Sequence, residues 1–207
     1  MVTQPEPRAR APWQDAHFIG GHPVLDLTNT VFNRAHPAPD NELLKSPSDV
    51  LTWCASVGLF ARAPALSDDA ADGLVAQVRS VREQAWAVFD AVSRGEAVPG
   101  PALGALLERS GAGLRAGHVQ ARVDRLTADW GAPGAIPEAL SLLAVRALFT
   151  LPAERVRVCG RCGWLFLDSS RGGRRRWCSM STCGNREKAS RHRHGTEPAS
   201  AAPAGGR

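Results

Sequence analysis

Four of the chain's five cysteines fall in its last quarter as two close pairs, Cys159-x2-Cys162 and Cys178-x4-Cys183, with fifteen residues between the pairs. Pairs so spaced match zinc-ligand usage: a Cys-x2-Cys knuckle offers two sulfurs to one edge of a metal, and the returning loop completes a tetrahedron. The segment 155–193 holds 39 residues, short of the roughly 40 residues below which a chain needs a metal, a disulfide or a partner to fold. Disulfides are the competing use of four cysteines, but they belong to oxidising compartments, and no secretory signal precedes them. One structural Zn2+ held by Cys159, Cys162, Cys178 and Cys183 is therefore expected. Four thiolates fill the coordination sphere and leave no open position for catalysis. His192 and His194 are alternative ligands for one of the four sites. Cys54, beside Trp53 in an apolar stretch, reads as a buried core thiol.

Charge divides the chain at the same place. Residues 1–154 carry 13 Arg and Lys against 17 Asp and Glu, net −4, whereas residues 155–193 carry 11 against 2, net +9. Arginine outnumbers lysine 23 to 2 throughout, so the choice of arginine is a property of the whole chain. The packing of cations into one short segment is not. Zinc on four thiolates adds −2 and still leaves the segment strongly basic, which points to a polyanion as partner. Trp164 to Leu167 reads as a strand, Ser169 to Arg174 as a turn, Arg175 to Trp177 as the return strand, and Arg186 to Arg193 as a short helix. Knuckle, hairpin and helix together make a treble-clef-like finger. Arg171, Arg174, Arg175 and Arg176 then sit on the hairpin; Asn185, Arg186, Lys188, Arg191 and Arg193 sit at or on the helix. These nine are the candidate nucleic-acid contacts, against the plainer reading of a solvated basic surface or of donors that quiet the thiolates. Phe166 and Trp177 are expected to pack the finger's small core.

The remainder reads as a mainly helical domain, 14–154, between loose termini at 1–13 and 194–207. Pro23 opens a short helix or strand, Ser46-Pro47-Ser48-Asp49 starts a helix running to Gly58, and Ser67 opens one that closes at Gly95. Residues 101–109 form another, ending at Gly111. Alternation from Leu114 to Trp130 predicts a β-hairpin, and Pro137 starts a last helix that stops near Pro152. The fold class is thus mainly α with a small β-hairpin, an α+β chain of helical domain plus finger. The longest run without a charged residue, Val50 to Ala61, is twelve residues, too short to cross a bilayer. A soluble, cytoplasmic protein without membrane contact is expected.

The run from Cys159 to Arg193 resembles the CGNR zinc finger, a bacterial family named for the tetrapeptide that stands here as Cys183-Gly184-Asn185-Arg186. The resemblance includes Phe166-x-Asp168-x-Ser170-Arg171 and Arg176-Trp177-Cys178-Ser179-Met180, with Trp164 after a short Gly160-Arg161 knuckle as a departure. The preceding domain is similar to the ABATE domain that accompanies this finger, a family regarded as stress-induced transcription regulators. Its signature appears as Gly20-Gly21-His22, then Leu25-Asp26-Leu27-x-Asn29-Thr30, with Leu43, Trp53 and Gly58-Leu59 following. The resemblance covers about residues 16–193 and implies a zinc-bound, DNA-binding finger behind a domain of loosely defined role.

His22, Asp26, Asn29 and Thr30 form a polar set in an apolar segment. They are candidate contacts for a small-molecule effector, or else helix caps and turn donors. No GxSxG, P-loop, HExxH or dinucleotide fingerprint is present, so no enzymatic activity is expected. The sequence therefore reads as a DNA-binding transcription regulator whose N-terminal domain dimerises or senses an effector. The alternative is a redox-sensing zinc-thiolate or protein- and RNA-interaction module.

Overall fold

The computed structural model describes residues 13–60, 62–122 and 125–194, with the last four of these as backbone only. The expected loose termini, apart from Trp13 and His194, lie outside the described residues, as do the side chains of Arg191, His192, Arg193 and His194 and the hairpin loop residue Val123. Trp13, counted with the N-terminus, is pinned: its indole donates to the Thr52 hydroxyl at 3.1 Å and to the Asp49 carbonyl at 3.2 Å.

The chain order is α1 (Pro23–Thr28), α2 (Pro47–Ser56), α3 (Asp68–Ala71), α4 (Leu74–Arg94), α5 (Gly100–Ala116), β1 (Val119–Ala121), β2 (Leu126–Ala128), α6 (Ala135–Thr150), β3 (Val156–Val158), β4 (Leu165–Leu167) and α7 (Asn185–His194). The mainly helical class with small antiparallel strand pairs is as the sequence reading has it. Pro23 starts a helix, with His22 as its cap: the imidazole Nδ1 accepts the Val24 amide at 3.2 Å. Ser46 and Asp49 make the reciprocal capping box that opens α2.

Three boundaries differ from expectation. The helix from Ser67 to Gly95 is two, because the chain turns left-handed at Gly73, φ 69°, and restarts there as α4. The helix expected to end at Gly111 continues to Ala116, since packing on α6 outweighs the weak helix preference of a glycine in the interior. The alternation over 114–130 yields only three paired residues a side, Val119 opposite Ala128 to Ala121 opposite Leu126.

The long α4 is the axis of the core. Val78, Val81, Ala85 and Val88 form its buried stripe at three- and four-residue steps, and α1, α5 and α6 pack around it. The core does not stop at residue 154. Val156 on β3 and Leu165 on β4 belong to the same apolar cluster, 1% and 0% exposed. A second, smaller cluster joins the four cysteines of the C-terminal segment to Trp164 and Phe166, with Ile19 and Trp177 against it. No described helix is long and apolar enough to cross a membrane.

Candidate metal centre and basic tip

β3 and β4 form an antiparallel hairpin, Val156 opposite Leu167 and Val158 opposite Leu165, and its turn is the Cys159–Cys162 knuckle. The Cys159 amide donates to the Trp164 carbonyl at 2.8 Å, and the Gly163 amide returns to the Cys159 carbonyl at 3.0 Å. This corrects the expected pairing: 164–167 finds its partner upstream at 156–158, and no strand is formed at 175–177. The reason is geometric. A two-residue knuckle is a tight hairpin turn in itself, whereas residues 168–177 are drawn into a loop around Asp168.

Cys178 ends that loop, and Cys183 sits in one π-helical turn, Met180–Gly184, that runs directly into α7. All four Sγ atoms lie within 4.8 Å of one another. Cys162 and Cys178 are 3.6 Å apart, Cys178 and Cys183 3.7 Å. A tetrahedron with Zn–S near 2.3 Å has edges of about 3.8 Å, so these sulfurs fit one zinc ion. All four cysteines are buried. Without a cation the sulfurs cannot all ionise: hydrogen bonds from Cys162 and Cys178 drive Cys159 well below the usual thiol range, and the Cys159 thiolate in turn pushes Cys162 up to about 12. A divalent ion removes that conflict. The four residues make a closed zinc site that organises backbone and offers no open coordination position. Cys54 lies in the core of the body, fully buried, and burial pushes its thiol up to about 12.

The loop between the ligand pairs is tied from within. Asp168, 1% exposed, accepts the Ser170 amide at 2.9 Å and the Arg175 amide at 2.8 Å. Burial works against its charge, but the Ser170 hydroxyl and these amides prevail and hold the carboxyl at about 2. Arg155 donates to the Ser170 carbonyl at 2.8 Å and Arg157 to the Gly173 carbonyl at 3.1 Å. A β-carbon on Gly184 would stand 2.8 Å from the sulfur of Met180, whose side chain is exposed enough to swing aside.

The candidate cations divide accordingly. Arg171, Arg174, Arg176, Arg186 and Lys188 are exposed or half-buried at the surface, and Asn185 is exposed. Arg175 is turned inward; its guanidinium donates to the Cys178 carbonyl and lies over the Phe166 ring, 4.8 Å from the centroid. Arg176 stacks over Trp177, 5.4 Å from its centroid. Arg191 and Arg193 are carried by α7, their side chains outside the described residues.

The polar set of the body lies at the seam with the finger. Asn29 spends its whole amide on Leu165: Nδ2 donates to the carbonyl at 2.8 Å, and Oδ1 accepts the amide at 2.9 Å. Asp26 accepts the Gly20 amide at 2.7 Å, and a β-carbon on Gly20 would fall 2.8 Å from that same carboxylate. The Gly20 carbonyl then accepts the Leu167 amide at 2.8 Å. Thr30 donates to the Leu27 carbonyl at 2.8 Å and is reached by Arg82, itself bonded to Glu42 at 2.7 and 2.8 Å. His22 caps α1. All four are engaged in holding the fold. Two further seam contacts escaped the sequence reading: the Trp164 indole donates to the Val31 carbonyl at 2.7 Å, and the Ala35 amide to the Cys162 carbonyl at 3.2 Å. Trp164 carries a signal, since a tryptophan beside a metal knuckle usually has a job for its N–H; a backbone–backbone contact carries none.

Fold and site together define a helical domain fused to a structural zinc finger with four cysteine ligands. The finger, residues 155–194, matches the CGNR zinc finger family. The chain belongs to the ABATE family, described as "Putative stress-induced transcription regulator", which matches residues 21–154. No curated protein matches the chain.

Proposed function

We propose that the protein is a non-enzymatic, DNA-binding transcription regulator of the cytoplasm that grips DNA with the zinc-organised tip. The observation that carries this reading is the sorting of charge. Arg155, Arg157 and Arg175 are spent on the loop's own carbonyls, whereas Arg171, Arg174, Arg176, Arg186 and Lys188 stand at the surface around it. A zinc-held backbone with five exposed cations supports phosphate contacts, with Arg191 and Arg193 proposed as further ones, and Asn185, exposed at the start of α7, is the residue proposed to meet a base edge. A functional division into body, 14–154, and basic tip, 155–193, across one shared apolar core is part of this proposal. So is the body's role in dimerisation or effector sensing; Leu107 and Leu114, 47% and 42% exposed and two turns apart on α5, offer apolar surface for the former.

The test uses the full zinc-loaded chain and a fluorescent duplex titrated across salt. With about five phosphates neutralised, log K against log salt is expected to slope at about −4 to −5. A slope near zero overturns the reading.

A further inference from the structure

We propose that the cavity between body and finger delivers small, neutral, planar electrophiles, maleimides and related α,β-unsaturated carbonyls, to the zinc-site thiolates, and that Cys162 or Cys183 is the sulfur modified. The cavity measures about 540 Å³, inside the range that takes a small molecule. The body supplies one wall through Ala16, Ile19 and Phe32, and the finger the other through Trp164 and Arg186. Cys162, Cys178 and Cys183 open onto it; Cys159 does not. Exposure follows the same order, 9% and 7% for Cys162 and Cys183 against 2% and 1% for Cys178 and Cys159.

Shape and charge select the class. Phe32 is 44% exposed and meets Trp164 edge to face at 6.0 Å, which gives the cavity an aromatic corner where a planar molecule can lie on one ring face. Arg161 is offset by Glu187 at 3.4 Å. Of the two histidines that line the cavity, burial lowers the His17 pKa and favours its neutral form; Arg186 and His36 then face a tetrathiolate set whose charge with zinc is −2, a field that disfavours anions and admits neutral molecules. The thiolate is the reactive form of cysteine, and here the metal site holds it as thiolate at the end of a mixed passage with Ile19, Phe32 and Trp164 on its apolar part. Attack by Sγ on the β-carbon forms one S–C bond. The C=C π pair moves to the α-carbon, which takes a proton from water, so no oxidant is needed. The product is a neutral thioether, a poorer zinc donor, and the tip loses its staple. The inference rests on the zinc site alone and stands whether or not the tip binds DNA.

The experiment treats the full zinc-loaded chain with N-ethylmaleimide, maps adducts by peptide mass spectrometry over time and follows zinc with a chromophoric chelator. The first adduct is expected on Cys162 or Cys183, with zinc released in step and with Cys159 and Cys54 unmodified at that point. Ala16→Trp adds bulk to the body-side wall and alters no cysteine; at unchanged zinc content it is expected to slow adduct formation and zinc release about tenfold by narrowing access. A first adduct on Cys159, equal labelling of all four sulfurs, or wild-type rates in zinc-replete Ala16→Trp overturns the proposal.

Discussion

Asn29 and Leu165 are 136 residues apart in sequence and joined by two buried hydrogen bonds. Asn29→Ala leaves a buried N–H and C=O without partners, and is expected to cost about 2–4 kcal/mol in urea unfolding, with faster amide exchange at Leu165. Asp26 makes a different kind of prediction. Burial raises its carboxyl to about 6 from an unfolded value of 3.8, against the pull of the Gly20 amide. A group raised on folding stabilises fully below its unfolded pKa and loses that contribution as pH climbs through the folded one. The stability of the wild type relative to Asp26→Asn is therefore expected to fall by up to about 3 kcal/mol between about pH 3 and pH 7, most of it between about pH 4 and pH 6; parallel pH curves for the two proteins contradict it. These residues also show what a sequence discloses. His22 as a cap and Ser46–Asp49 as a capping box are legible because donor and acceptor are neighbours in the chain. Asn29 showed only that it was polar among apolar residues, because the backbone it binds lies in the other segment.

At the scale of elements, the cysteine spacing foretold the zinc site, since knuckle ligands must be local. The strand pairing was not legible. Three residues, Val156-Arg157-Val158, are too few for a periodic signal, and the turn-like run at 169–174 pointed to Arg175–Trp177 as the partner instead. The inward turn of Arg175 was hidden for a related reason: its place over Phe166 depends on the loop that Asp168 ties. The observed pairing changes what metal removal does. β4 is bonded to β3, to Asn29 and to Gly20, so chelation or Cys178→Ser is expected to release residues 169–190 and leave the hairpin in place. Hydrogen exchange reads this directly: the amides of Leu165 and Leu167 stay protected while those of 176–190 lose protection. Exchange at all of them together would mean that the finger melts as a whole. The Asp168 ties add a pH limit to the same loop. Its carboxyl is held at about 2, below the unfolded 3.8, so its contribution is present above pH 4 and is lost as pH falls toward 2.

For the whole molecule, the apolar core runs on across residue 154, where charge and family match change. Val156 and Leu165 are as deeply buried as the apolar stripe of α4, and their joint loss costs about 3–6 kcal/mol, comparable to the entire stability of an ordinary domain. A chain ending at Glu154 is expected to show no cooperative melt in near-ultraviolet circular dichroism, whereas one ending at Asp168 retains it. Sequence reading placed the boundary by charge and by cysteine, both of which mark where the partner and metal sit and neither of which reports where apolar side chains go. The Asn29 clasp carries a lesson for recombination. A chimaera spliced at residue 154 would inherit a finger without the side chains that seat it, so a transplanted tip must travel either with residues 20–31 of its own host or as a graft beginning after Leu167 in a recipient that supplies its own Cys-x2-Cys knuckle.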